Sequence, residues 1–193
     1  VQPDGTWTFT PTTPLSEGPH TINVSAQDPY GNTNTTSGTP AHDSEGPFVI
    51  DTSATATVDI KDDSNHDDMI SSVDNMTQTK LSGTIEAGGS ITSLTVKDAV
   101  GNTITIPNTA ITLNPDGTWS AIVDVTSLKD GTLTTTLSAQ DALGNSAPVV
   151  SDTIEKDTVT TVTLNPIADT NDTTPTISGT GEPGSTITIS DGS

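Results

Sequence analysis

The chain has 193 residues and a net charge of −20, with only 29% apolar and 3% aromatic residues, so any core is thin and built mainly from Val, Ile, Leu and Thr. Twenty of the 25 acids are Asp and the five basic residues are all Lys. With no arginine fork and so much negative charge, the chain is a poor partner for nucleic acid or an anionic membrane surface. Cysteine is absent, and no signal peptide, transmembrane run or lipidation motif is present. Disulfides are therefore excluded as staples, which leaves metal ions, and Asp suits hard cations such as calcium.

In chain order, the first motif is Pro3-Asp4-Gly5-Thr6-Trp7, which returns as Pro115-Asp116-Gly117-Thr118-Trp119, 112 positions on. Leu15 with Gly18 returns as Leu128 with Gly131, and Ser25-Ala26-Gln27-Asp28 with Gly31-Asn32 returns as Ser138-Ala139-Gln140-Asp141 with Gly144-Asn145, both displaced by 113. One repeat unit is thus one small domain long. Residues 1–50 supply the last three strands of one module, 51–156 a complete module, and 157–193 the first three strands of another. Asp51-Thr52 and Asp157-Thr158 mark the junctions. These linkers hold no Gly/Ser-rich run, so the array is expected to be semi-rigid. The incomplete ends leave open sheet edges, which predicts either poor order there or head-to-tail pairing between molecules.

Within the complete module, apolar residues fall on alternate positions in Leu94-Val96, Ile104-Ile106, Trp119-Ala121-Val123-Val125 and Leu133-Leu137-Ala139, and helical periodicity is missing. Turn residues separate these runs at 98–102, 115–117, 129–131 and 141–145. The pattern predicts an all-β sandwich of seven strands near 54–60, 79–86, 91–97, 103–113, 118–125, 132–140 and 146–154. An odd number of strands lets the chain enter at one pole and leave at the other.

That strand order sorts the acids by pole. Glu86, Asp116 and Asp141 fall at the leading pole beside Asp51; the loop 62–74, Asp98 and Asp130 fall at the trailing pole beside Asp157. Glu182 takes the place of Glu86 in the next unit. A cation bridging such carboxylates would fix the angle between modules. Asp141 reads equally as an Asx-turn residue, and Asp116 reads first as a hairpin turn residue.

The densest acidic run is 62–74, with Asp62, Asp63, Asp67, Asp68 and Asp74. Numbered from Asp63, it places Asn65, Asp67, Ser71 and Asp74 at positions 3, 5, 9 and 12 of a calcium-loop pattern, with Asp68 where that pattern takes Gly. The alternative is a solvated acidic loop. Trp7 and Trp119 read as core anchors rather than sugar platforms. No nucleophile elbow, phosphate loop or zinc pattern occurs, and the three histidines are dispersed, so an enzyme is the weakest reading; a carboxylate-pair hydrolase is its one form.

Residues 3–11, the two Ser-Ala-Gln-Asp-x-x-Gly-Asn blocks and Ser178-Gly179-Thr180-Gly181-Glu182-Pro183-Gly184-Ser185-Thr186-Ile187-Thr188-Ile189 resemble the bacterial Ig-like repeats of giant, type I-secreted surface adhesins. The resemblance covers almost the whole chain and extends to the acidic stretch from Ile60 to Asp74. In this loop the family often carries Glu after an Ile-Asn pair, whereas this chain has Ser71-Ser72-Val73-Asp74, and the glycine-rich nonapeptide associated with such secretion is absent. The likeness implies tandem Ig-like β-sandwich modules of Greek-key type, calcium at or near the junctions, an extracellular location and a non-catalytic role in extending an adhesive tip for biofilm or host-cell attachment. It points to Asp51, Asp67, Asp68, Asp141 and Asp157 as calcium ligands, with Glu86 and Glu182 behind them. The partners implied are neighbouring repeats of the same chain, calcium ions, and a host or biofilm surface met by other parts of the parent protein. The alternative is a module that itself binds a glycan or host protein through loop 38–47 or a strand edge.

Overall fold

The computed structural model describes residues 1–38, 48–61 and 68–191. The amino-terminal segment contains β1 (Gly18–His20), β2 (Ile22–Gln27), β3 (Thr33–Gly38) and β4 (Phe48–Ile50). The central part contains β5 (Ala56–Lys61), β6 (Met69–Ser71), β7 (Thr79–Ile85), β8 (Ser90–Lys97), β9 (Thr103–Thr105), β10 (Ile111–Leu113), β11 (Thr118–Val123), β12 (Gly131–Gln140) and β13 (Val150–Asp157). The carboxy-terminal segment contains β14 (Val162–Leu164) and β15 (Gly179–Gly181).

The central strands form two sheets, one ordered β10-β11-β7-β5 and the other β6-β13-β12-β8-β9. This is the strand arrangement of an immunoglobulin-type sandwich. Alternation puts one face of each strand inward: Trp119, Ala121 and Val123 of β11 and Leu133, Leu137 and Ala139 of β12 are buried, while Ser120 and Ile122 are exposed. Leu81, Leu94 and Ile154 complete a core made almost wholly of aliphatic side chains. In β8 the inward residues Ile91 and Leu94 are three apart. The register shift opposite Ser138 and Ala139 accounts for this, because a bulge inserts one extra residue and restores the facing.

One expected strand is divided, one is added and one starts late. The run 103–113 is broken after Ile106, where Pro107 offers no N–H to a ladder; a 3₁₀ turn at Asn108–Ala110 then carries the chain from the β8 edge to β10 on the other sheet. The first strand has a counterpart across the acidic loop: β5 pairs with β7, whereas β6 joins the opposite sheet parallel to the end of β13. The run expected at 146–154 makes only one bridge, Gln140 to Ser146, before β13 starts at Val150, beyond Pro148. Among the described residues the central sandwich thus has nine strand segments where seven were expected.

The end segments repeat parts of this ladder. Gly18 of β1 faces Ile50 as Gly131 of β12 faces Lys156, and Gln27 faces Thr33 as Gln140 faces Ser146. Leu164 faces Gly179 as Val58 faces Gly83. Among the described residues no helix is long and apolar enough to cross a membrane.

If the two inner faces carry the stability, Leu137→Ala should cost about 2–5 kcal/mol. Ile122→Ala, on the exposed face of β11, should stay within about 0.5 kcal/mol. Urea unfolding followed by far-UV circular dichroism measures both.

Candidate metal centre

The recurring motif Asp-x-x-Gly-Asn closes three loops in the same way. Asp141 Oδ1 accepts the N–H groups of Leu143 and Asn145, both at 2.8 Å, and Oδ2 accepts Asn145 Nδ2 at 2.6 Å. Asp28 does the same with Tyr30 and Asn32. Asp98 accepts the N–H groups of Val100, Gly101 and Asn102 on Oδ1, and on Oδ2 Asn102 Nδ2 at 2.7 Å and Lys129 N–H at 3.0 Å. The last bond ties the 98–102 loop to the 128–131 loop. Gly101 and Gly144 take φ of 104° and 93°, a region in which other residues are strained. Burial raises the Asp98 carboxyl, but the Lys129, Asn102 and Gly101 donors outweigh it and hold the pKa at about 2. At Asp141 burial likewise raises the carboxyl, and the Asn145, Leu143 and Gly144 donors hold it below its ordinary value.

Asp141 is therefore the Asx-loop residue that one of its two expected roles required. It also has a second set of neighbours. Oxygen atoms of Asp51, Glu86 and Asp141 all lie within 4.8 Å of one another. Asp51 comes from the linker, Glu86 from the turn after β7, and Asp141 from the end of β12, while Asn145 Nδ2 donates to the Asp51 carbonyl at 2.9 Å. Asp51 and Glu86 are half-buried and Asp141 is buried. Oxygens sharing one calcium ion, each about 2.3–2.6 Å from it, are at most about 5 Å apart, so the three carboxylates fit such an ion. The leading-pole grouping thus assembles as the strand order predicted, except that Asp116 stands apart in its turn, bonded to Thr118.

At the trailing pole the acids have other uses. Ser71 faces Asp157 across the β6–β13 pair, which places the end of the acidic loop beside the second linker. Asp74 is buried and accepts Ser71 N–H at 2.7 Å and Ser71 Oγ–H at 2.8 Å. Asp68 is exposed and has φ of 59°, the left-handed turn that the calcium-loop pattern assigns to Gly. Asp62, Asp63 and Asp67 lie outside the described residues, as does loop 38–47 apart from Gly38. Asp157 is half-buried at the end of β13, and Glu182 half-buried at the turn after β15.

Each junction carries a feature that alternation and loop counting missed. Thr158 donates its N–H to Asp130 Oδ2 at 2.9 Å and its hydroxyl to the same carboxylate at 2.9 Å. Thr52 donates its N–H to Glu17 Oε1 at 3.0 Å and its hydroxyl to the same oxygen. Both acids directly precede the glycine that opens a strand, Gly18 or Gly131, and that shared position is the signal by which they could have been paired with the recurring Asp-Thr. The Thr158 N–H holds Asp130 below its ordinary value against the effect of burial, helped by the Thr158 hydroxyl and Lys156. Lys156, buried where the first segment has Ile50, donates to Leu128 O at 2.5 Å and pairs with Asp130 at 3.6 Å.

Residues 1–52 match the family model described as the bacterial Ig-like domain. The matched segment shares its Asx loop, its acid–threonine clamp and its strand register with residues 115–158. Among solved structures, the chain is similar to a crystal structure of a tetra-tandem repeat in the extending region of a large adhesion protein: 30% identity over 78% of this chain, TM-score 0.44. The chain spans 34% of that structure's length. No curated protein matches the chain.

Because the folded Asp98 pKa of about 2 lies below the ordinary 3.8, its contribution to stability is complete above about pH 3.8 and is lost as pH falls through about 2. Asp98→Asn removes this component. Its melting temperature should therefore fall less steeply than that of the parent over the same interval, as followed by circular dichroism melts at a series of pH values.

Proposed function

We propose that this chain is a non-catalytic extender segment of a large bacterial cell-surface adhesin. Calcium at the junctions stiffens it, so that it holds a distal binding domain away from the cell, towards a host or biofilm surface. In this reading residues 51–156 are the complete module, 1–50 the end of the one before, and 157–193 the start of the next.

The observation that carries the reading is the way the linker is held. In Asp51-Thr52 the threonine is bound by Glu17 of the preceding segment, while the aspartate lies with Glu86 and Asp141 of the following one. Three carboxylates so close repel one another, and a divalent cation turns that repulsion into a joint. Asp51, Glu86 and Asp141 would hold the ion; its chemistry is charge neutralisation and oxygen coordination alone. Asp157 and Glu182 stand at the corresponding places of the second junction. Asp62, Asp63, Asp67, Asp68 and Asp74 are proposed as further ligands from the acidic loop beside Asp157, with Asp68 supplying the left-handed turn.

Extracellular modules bind calcium with dissociation constants of about 0.1–1 mM, and an excess of about a hundredfold adds roughly 2.7 kcal/mol to stability. Melts in calcium, magnesium and chelator test this. Calcium should raise the melting temperature by several degrees and magnesium by much less. Glu86→Gln should weaken calcium binding about tenfold or more in isothermal titration while leaving the chelator melt no lower than the parent's, because one of the three repelling charges is gone. Asp141→Asn should lower the chelator melt as well, because its Asx loop is lost. Identical melts in all three conditions would refute calcium stiffening.

A further inference from the structure

The chain contains the triplet Asn-x-Ser/Thr at Asn23, Asn34, Asn75 and Asn171. With any residue but Pro in the middle, this triplet accepts sugar on the asparagine amide, and it does so on surface loops. In a chain so rich in threonine such triplets also arise by chance, so the fold decides which of them can serve. Asn23-Val24-Ser25 lies inside β2 and Asn34-Thr35-Thr36 inside β3, and these two strands pair with each other along their length. An enzyme that must seat the triplet in its own groove meets there a backbone already engaged in a ladder. Asn171-Asp172-Thr173 is exposed, but its loop is organised around Asp172: the Asp172 N–H bonds Thr170 Oγ1 at 3.0 Å, and Thr174 donates its N–H and its hydroxyl to Asp172 Oδ1 at 2.8 Å and 3.1 Å. Among the described residues no bond joins Thr173 to Asn171.

Asn75-Met76-Thr77 is built differently. Met76 anchors it: its side chain packs half-buried against the core, its N–H bonds Asp74 O at 3.0 Å, and its carbonyl accepts the Val125 N–H at 2.9 Å. Asn75 and Thr77, on either side of the anchor, are exposed. Asn75 has φ of −83° and ψ of 78°, and its carbonyl accepts the Gln78 N–H at 2.8 Å, so the backbone bends between the asparagine and the threonine. An extended strand would set residues two apart about 6.6 Å from each other. The bend instead brings the Thr77 hydroxyl onto the side-chain amide, donating to Asn75 Oδ1 at 2.7 Å. An amide nitrogen is a poor nucleophile because its lone pair is shared with the carbonyl. A hydrogen bond to that oxygen makes the N–H proton easier to remove. Asn75 Nδ2 itself has no partner among the described residues.

We propose that Asn75 is a glycosylation site, taking on Nδ2 a sugar that a transferase delivers from its diphosphate ester. Nδ2 attacks the anomeric carbon, the bond from that carbon to the diphosphate oxygen breaks with its electron pair leaving on the diphosphate, and the Nδ2 proton passes to a base of the transferase. Thr77 is the positioning residue. The carrier on the diphosphate is a nucleoside, which delivers sugars singly, or a lipid, which delivers an assembled oligosaccharide. The modified residue stands in the loop between β6 and β7, where β6 runs beside the end of β13 towards the second linker.

Peptide mass spectrometry of the chain made in its own bacterium, with electron-transfer fragmentation to keep sugars on their residues, tests this. Asn75 should carry sugar, and Asn23, Asn34 and Asn171 should carry none. A single hexose assigns the nucleoside-linked donor, and a block of several sugars the lipid-linked one. Thr77→Ser, which keeps the hydroxyl, should retain the modification, and Thr77→Val should lose it. An unmodified Asn75 in the parent chain overturns the proposal. So does sugar at the other three triplets to the same extent, or undiminished occupancy of Asn75 in Thr77→Val.

Discussion

The arrangement of this chain depends on a dipeptide held from two sides. At Asp51-Thr52 the threonine is bound by Glu17 from the segment before, and the aspartate is gathered with Glu86 and Asp141 from the sandwich after it. Asp157-Thr158 repeats the first half of this through Asp130. A junction secured at adjacent residues by different neighbours has few free torsions left. Its remaining freedom depends on whether the clustered carboxylates repel or are bridged. In the proposed function, stiffness is an electrostatic property of the linker, carried by very few side chains.

The same economy runs through the loops. A chain with 29% apolar residues cannot anchor long loops by burial, and here carboxylates do that work. Asp28, Asp98 and Asp141 each gather several donors from their own loop, and Asp98 also reaches across to Lys129. Asp152 of β13 accepts the Ile60 N–H of β5, joining the two sheets at an edge. Lys156, buried beneath Leu128 and Asp130, is the exception in sign, and its ammonium has a carbonyl and a carboxylate to meet. A net charge of −20 is thus partly spent inside the fold as hydrogen-bond acceptors.

Much of this was legible in the residues, for identifiable reasons. Strict alternation in Trp119-Ala121-Val123-Val125 placed β11 and its inward face, because a period of two admits one reading. Strand order alone brought Asp51, Glu86 and Asp141 to one pole, since successive antiparallel strands send alternate loops to the same end. What escaped were features set by partners remote in sequence. Nothing local in Met69-Ile70-Ser71 reveals a parallel partner in β13, and Pro107 marked a break without saying that the chain changes sheet there. Lys156 lies among exposed-looking residues, and its burial follows from Leu128 and Asp130, more than twenty positions away. The acid–threonine clamps were written in the repeat, but as single residues beside a glycine they carried no pattern of their own.

The central claim, that the junction is a joint whose stiffness is set by cation bridging, is tested most directly by the spread of a distance across it. Because the chain has no cysteine, Thr33→Cys and Ser120→Cys place one nitroxide on each side of the first linker without interference. Pulsed dipolar spectroscopy then reads the distribution of separations. The account predicts a narrow distribution in calcium that broadens in chelator, with Glu86→Gln broad in both. Distributions of equal width in calcium and in chelator would contradict it.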